Sequence, residues 1–358
     1  LLYFQQICYD ELYRIIRVFI ARKGQDVRIE VIGGGSIGLL YGARLAEAGA
    51  EVTIWTRSRE QAELLRVQGI LLKELDGTSK RIVRVNSNWI ERLPGKFLDK
   101  TGHPLNSYRW ILLTVKQTDI NERLLAQLNA FIEGLTDEAA AVVCMQNGIG
   151  HLERIYKKLP DTPLFAAVTT EGAKRVDGGT VQHTGKGQLW LGEWDGNKRN
   201  RDESLEISQK MLISLLQTAG FTSFLSNDME NRIFVKLLIN AVINPLTAIF
   251  DVTNGELPKH PSRESLMRAL YAETEFILRQ AGMRMEYDGW QQIMEVCRQT
   301  SGNVSSMLSD VRAGRTTEID AINGGIVELA EQYDIPAPIN QAVTALVKAL
   351  HTKPEMKE

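Results

Sequence analysis

The chain has 358 residues, 44% hydrophobic and 24% charged, with 42 Lys and Arg against 44 Asp and Glu and a formal net charge of −2. At about 150 residues per domain the length suggests two domains, and the ordinary composition excludes a chain disordered throughout. The balanced charge lacks the basic excess of a nucleic-acid binder, and three widely spaced cysteines (Cys8, Cys144, Cys297) support neither a disulfide framework nor a metal site but fit a reducing, cytoplasmic compartment.

Residues 1–25 place Ile7, Leu12, Ile15, Ile16 and Phe19 at helical spacing among Asp10, Glu11, Arg14 and Arg17. Those charges exclude a signal-peptide core and a bilayer span, and their mixed sign argues against a membrane anchor. The segment reads as a helical extension outside the core fold. Strong signals begin at Val27. The β-branched run Val27 to Ile32 ends at Gly33-Gly34-Gly35-Ser36-Ile37-Gly38, and a helical pattern follows to Gly49. A second strand, Glu51 to Trp55, closes a unit of βαβ size. Trp110 to Val115, Ala139 to Met145, Leu164 to Thr170 and Gly187 to Gly192 read as further strands. Their continuous apolar runs suit a parallel sheet covered on both faces. Gly172 to Gly187, rich in glycine, reads as turns. Leu205–Thr218 is an amphipathic helix, and Phe221–Leu225 a short strand. From Asn227 only helical periods recur, broken at Pro245, Gly255, Pro258, Gly282, Gly302 and Pro336.

Gly33, Gly35 and Gly38 form G-x-G-x-x-G. The first glycine allows the tight turn, the second lets the backbone approach a pyrophosphate, and the third lets helix and strand pack closely. The following helix N-terminus offers unpaired N–H groups to the phosphates. The strand–helix context makes Gly33, Gly35, Ser36, Ile37 and Gly38 a dinucleotide-binding loop rather than a plain turn. The fold class is therefore α/β plus all-α. An extension over 1–25 is followed by a Rossmann-type domain over 26–226 and a helical domain over 227–358. Where an NAD site carries an acid about 20 residues past the loop, this chain has Trp55-Thr56-Arg57-Ser58-Arg59. Arg57 suits a 2′-phosphate, so NADPH/NADP+ is the expected cofactor.

The segment from Asn231 to Phe250 is apolar nearly all round, which marks a buried helix. Lys236, Asn240 and Asn244 interrupt it at i, i+4 and i+8, on one face. A lone buried lysine costs too much unless it faces a cleft or a partner, and desolvation lowers its pKa toward values useful in proton transfer. One such residue would read as a snorkelling side chain; three in register read as a site.

These motifs carry a close resemblance. The chain resembles the ketopantoate reductase (2-dehydropantoate 2-reductase) family, related in fold to 6-phosphogluconate dehydrogenase, from about Val27 to about Leu350. The matching stretches are the glycine loop, Val115-Lys116, Gln146-Asn147-Gly148, the Lys236–Ala248 run, Asn254-Gly255-Glu256-Leu257, Ser305 to Asp310, and Thr317 to Gly324. The resemblance implies reduction of 2-dehydropantoate to (R)-pantoate with NADPH, a step toward pantothenate and coenzyme A. It implies Lys236 as general acid, and Asn240, Asn244, Asn254 and Ser306 as substrate-binding residues. It implies that Glu318 binds substrate and cofactor and helps place the lysine, although alone Glu318 would read as an exposed carboxylate in a first helical turn. Lys116 and Asn147, at strand ends, are implied near nicotinamide and substrate. The five histidines match no family catalytic position, and Asp310 and Arg312 read as cleft wall or helix surface. No metal, nucleic-acid or membrane partner is implied, and the family's dimers suggest a homodimer. Two other readings stay open at this point: a reductase of another branched 2-oxo acid, and a non-catalytic NADP-binding sensor, against which the retained Lys236, Asn240, Ser306 and Glu318 argue.

Overall fold

The computed structural model describes residues 27–93, 108–135, 139–194, 203–285 and 288–350. The expected helix within 1–25 lies outside them. Contacts divide the chain into two units. The sheet unit runs to Val115 and resumes over Ile120–Gln146 and Leu152–Asn227; the helical unit takes Lys116–Asp119, Asn147–His151 and everything from Asp228.

The strands of the sheet unit are β1 (Arg28–Ile32), β2 (Glu51–Thr56), β3 (Ile70–Lys73), β4 (Lys80–Val83), β5 (Asn86–Trp89), β6 (Tyr108–Leu113), β7 (Ala139–Cys144), β8 (Leu164–Thr169), β9 (Gly172–Arg175), β10 (Thr180–Gly185), β11 (Gln188–Glu193) and β12 (Thr222–Leu225). Its helices are α1 (Ser36–Glu47), α2 (Arg59–Gln68), α3 (Glu122–Glu133), α4 (His151–Lys158, whose first residue belongs to the helical unit) and α5 (Glu203–Thr218). Eight strands form one sheet in the order β12-β11-β8-β7-β6-β1-β2-β5, parallel except where β11 meets β8. The central strands β1, β6 and β8 are buried along their whole length, as their apolar runs require. Buried charges interrupt that core, among them Arg28, Glu30 and Arg109. Glu30 on β1 accepts from Arg109 Nη1 and Trp55 Nε1, each at 2.6 Å. Burial raises the Glu30 pKa, and Arg109 and Trp55 oppose the rise.

Four strands form a second sheet, β4-β3-β10-β9, and α1 packs against strands of both sheets. That double covering explains why α1 buries an unbroken run from Gly38 to Ala43 rather than a stripe. The expectation of turns between Gly172 and Gly187 is corrected here: β9 and β10 are paired antiparallel strands, with Val181 opposite Arg175. β9 is a polar, largely exposed edge strand held by its ladder with β10, so it shows no apolar alternation to read.

The helical unit contains α6 (Met229–Phe250), α7 (Pro261–Gln280), α8 (Gly289–Gln299), α9 (Ser306–Arg312), a π-helical turn (Asp320–Gly324), α10 (Gly325–Gln332) and α11 (Pro338–Ala349). By length and composition α6 could cross a membrane, but most of it is buried, and α7, α9 and α11 pack around it. The helix does not break at Pro245, contrary to expectation. Proline removes the N–H that would bond the carbonyl four residues back, at Ala241. Asn323 Nδ2 donates to that carbonyl at 3.0 Å instead. The orphaned acceptor is thereby satisfied, and the helix continues.

Candidate active site

In the sheet unit, the glycine loop has the geometry that its spacing implies. Gly33 has φ +123°, and its N–H donates to Trp55 O at 2.8 Å. A Cβ at Gly33 would lie 2.9 Å from Thr114 Oγ1 and from the Val115 nitrogen, and one at Gly38 would lie 1.9 Å from Gly33 O. A Cβ at Gly35 would meet nothing within 4 Å. The loop is thus closed on the strand side and open where α1 begins, as a pyrophosphate requires. Ser36 and Ile37 form the partly exposed first turn of α1. Past the end of β2, Thr56 Oγ1 donates to Ser58 O at 2.7 Å, and the Ser58 side chain caps α2. Arg57 stands exposed between them. The guanidinium of Arg59 lies 5.2 Å from the Trp89 ring centroid and that of Arg92 4.1 Å.

In the helical unit, α6 presents Lys236, Asn240 and Asn244. Lys236 and Asn240 keep partial access to solvent, whereas Asn244 is buried. Among the described residues the Lys236 ammonium makes no hydrogen bond and no ion pair. Desolvation brings its pKa down to about 8, against the opposing attraction of Glu318. Glu318 is itself buried, just ahead of the π-helical turn. Its Oε1 accepts from the Gln117 N–H and its Oε2 from Asn147 Nδ2, both at 3.2 Å. The reading of Glu318 from its own position, an exposed residue in a first helical turn, therefore gives way to a buried carboxylate held by two donors.

The triplet Gln146-Asn147-Gly148 divides its work. Gln146 Nε2 donates to the carbonyls of Leu113 and Val115 at 2.7 and 2.9 Å, tying the ends of β6 and β7 together. Asn147 reaches Glu318. Gly148 has φ +83°, and a Cβ there would lie 2.2 Å from Ala321 O, so only glycine allows this approach to the π-helical turn. Gln117, which sequence reasoning missed, donates through Nε2 to Asn147 O at 2.7 Å and lies 2.9 Å from His151 Nδ1. Its only sequence signal was adjacency to Lys116.

Lys116 pairs with the buried Asp310, which also accepts from Arg315 Nε at 3.1 Å. Asp310 is thus the buried partner of Lys116, while Arg312 sits at the surface paired with Asp251 at 2.7 Å. Asn254 is buried. Its Nδ2 donates to Thr300 Oγ1 at 2.9 Å, and its Oδ1 has no partner among the described residues. At the start of α9, Ser305 is the buried cap, accepting from Leu308 N at 3.0 Å. Ser306 beside it is exposed, so its hydroxyl has no capping duty. The structure thus joins Lys236, Glu318 and Asn147 electrostatically, and sets Asn254 and Ser306 on segments packed against α6.

Two family models match the chain: ketopantoate reductase PanE/ApbA over residues 29–196, and the ketopantoate reductase PanE/ApbA C-terminal region over 228–351. A 2-dehydropantoate 2-reductase of Archaeoglobus fulgidus is 30% identical over 330 residues, 91% of this chain and 98% of that one. The crystal structure of a probable 2-dehydropantoate 2-reductase from Bacillus subtilis is 28% identical, covers 90% of this chain and 100% of its own, and superposes with a TM-score of 0.69. A D-mandelate dehydrogenase solved with NADH and anilino(oxo)acetate has a TM-score of 0.74 at 24% identity, covering 91% and 98%, a likeness of fold alone. With both halves matched and relatives aligned nearly end to end, the chain belongs to the ketopantoate reductase family.

Proposed function

We propose that this chain reduces 2-dehydropantoate to (R)-pantoate with NADPH, using Lys236 as the general acid. Family membership supports the reaction. The observation that carries the mechanism is an ammonium without an ion-pair partner among the described residues, on a largely buried helix, depressed to about pKa 8 and held under the influence of a buried carboxylate. The family's enzymes are nicotinamide-dependent oxidoreductases, and the open backbone at Gly35 beside the start of α1 fits a dinucleotide's pyrophosphate. Gly33, Gly35, Ser36, Ile37 and Gly38 would hold those phosphates, and the exposed Arg57, in the stretch where an NAD site carries an acid, favours a 2′-phosphate. The bound cofactor supplies a hydride to the ketone carbon.

Negative charge then develops on the ketone oxygen, and the chain's own residues answer it. Lys236 is protonated at neutral pH because its pKa lies near 8, yet its proton is far more acidic than that of an ordinary lysine. It donates that proton to the oxygen and stabilises the charge as it forms. Glu318 keeps the lysine charged before transfer, and Gln117 and Asn147 hold the carboxylate in place. Asn240, Asn244, Asn254 and Ser306 supply neutral donors and acceptors for the substrate's carboxylate and hydroxyl, and Lys116 a second cation balanced by Asp310. In this reading 26–226 binds the dinucleotide, and 227–358 binds substrate and forms a homodimer. The setting is cytoplasmic, with no nucleic-acid or membrane partner; the free, buried Cys144 and Cys297 support the reducing compartment. The test is loss of reduced-nicotinamide absorbance with purified protein, NADPH and a panel of 2-oxo acids. The highest kcat/KM is expected with 2-dehydropantoate, and a better branched 2-oxo acid would replace it as substrate. No oxidation with any of them would refute the reading.

A further inference from the structure

We propose that Arg175, on edge strand β9 of the second sheet, is a phosphate-binding residue of the dinucleotide site, donating to the cofactor's pyrophosphate together with Ser36. The inference rests on the reading that the sheet unit binds a nicotinamide dinucleotide. Three observations carry it. Arg175 Nη1 donates to Gly34 O at 3.1 Å, which puts the guanidinium at the glycine loop itself. The backbone N–H of Arg175 donates to Ser36 Oγ at 3.0 Å. Among the described residues no carboxylate lies within ion-pair distance of Arg175, so none of them neutralises its charge.

The consequences follow from hydrogen-bond chemistry. Because Ser36 Oγ accepts from the Arg175 N–H, its own proton is free to donate, at the first residue of α1, where an anion is favoured. An arginine has five donors, and the bond to Gly34 uses one, leaving the rest of the fork for phosphate oxygens. The strand cannot drift from this position. Gln61 Nε2 bridges Gly34 O at 2.8 Å and Gly178 O at 2.9 Å, tying the β9–β10 turn to the glycine loop. Arg57 lies at the other end of the expected cofactor site, past β2, so the two arginines make separable claims: Arg175 on the phosphates common to NADH and NADPH, Arg57 on the 2′-phosphate.

The experiment is fluorescence or calorimetric titration of the full chain and of Arg175→Gln with NADPH, NADH and ADP-ribose, over a range of salt concentrations. Thermal melts check that the variant is folded, and Arg175→Lys serves as a second, charge-retaining variant. Loss of a charge-assisted phosphate contact should raise Kd roughly 10- to 100-fold for all three ligands. The salt dependence should become shallower in Arg175→Gln and stay closer to the original in Arg175→Lys. Unchanged affinity would overturn the proposal, and so would weaker binding with an unchanged salt dependence, which marks a mere brace of the loop. A loss confined to NADPH would overturn the assignment to the pyrophosphate. If the unmodified chain binds none of the three, the dinucleotide reading falls and this proposal with it.

Discussion

Replacing Lys236 by methionine should raise stability and cut turnover at once. The lysine's pKa falls from 10.5 to about 8 in the folded chain. Each tenfold change in proton affinity is worth about 1.4 kcal/mol, so holding the charged form in this position costs about 3 kcal/mol. That figure is an upper bound, because the side chain keeps partial access to water. The sign is fixed by linkage. Below pH 8 both folded and unfolded lysines are charged and the full cost is present. Between pH 8 and about 10.5 the folded lysine is neutral while the unfolded one still binds a proton, so the cost fades as pH rises. A methionine side chain carries no such cost and nearly fills the lysine's volume. Melts of the apo-protein at pH 7 should therefore show Lys236→Met above the original by up to roughly 4 °C, and by much less at pH 10. Turnover at pH 7 should drop by about 10²–10⁴ while NADPH still binds. A variant that melts lower at pH 7, or that turns over within a few-fold of the original, would refute the account of Lys236.

Other consequences are equally measurable. Glu318→Gln removes the charge that holds the lysine's pKa up, so the alkaline limb of the kcat profile should move to lower pH, below about 8, and kcat should fall. Arg57→Ala should raise the KM for NADPH about 10- to 150-fold and leave that for NADH nearly unchanged, as read from parallel steady-state assays. Asn323→Ala leaves the Ala241 carbonyl without its donor in the core of the helical unit; denaturant melts should show a loss of about 1–3 kcal/mol.

What the sequence disclosed, and what it withheld, follows the range of the interactions involved. Strand, glycine loop, helix and strand were legible over 27–55 because each is local. Glycines needing special backbone space sit at fixed offsets from an apolar run. The shared face of Lys236, Asn240 and Asn244 was legible because helical spacing alone sets it. Glu318 was not, because its burial depends on Gln117 and Asn147, 201 and 171 residues away in the chain. Pro245 misled for the same reason: the donor that rescues Ala241 lies 82 residues on. β9 and β10 escaped notice because an edge ladder of Gly, Lys, Arg, Thr and Gln is held by main-chain pairing, which leaves no hydrophobic period. Asp310 lay inside a recognised motif, yet nothing local distinguished a buried counter-ion of Lys116 from a helix-surface acid.

The division of the chain into units has a bearing on how the protein can be cut. The polypeptide passes between the sheet unit and the helical unit five times, at 115/116, 119/120, 146/147, 151/152 and 227/228. A fragment starting at Asp228 would carry Lys236, Glu318 and the asparagines, but not the two short excursions that bring Gln117, Asn147 and Gly148. Its Glu318 would lose both hydrogen-bond donors, and the π-helical turn would lose the Ile149 N–H that bonds Ala321 O at 3.1 Å. The helical half is therefore not self-contained: two short pieces of it are made with the earlier half of the chain, and a fragment starting at Asp228 should resist protease only once the earlier half is supplied.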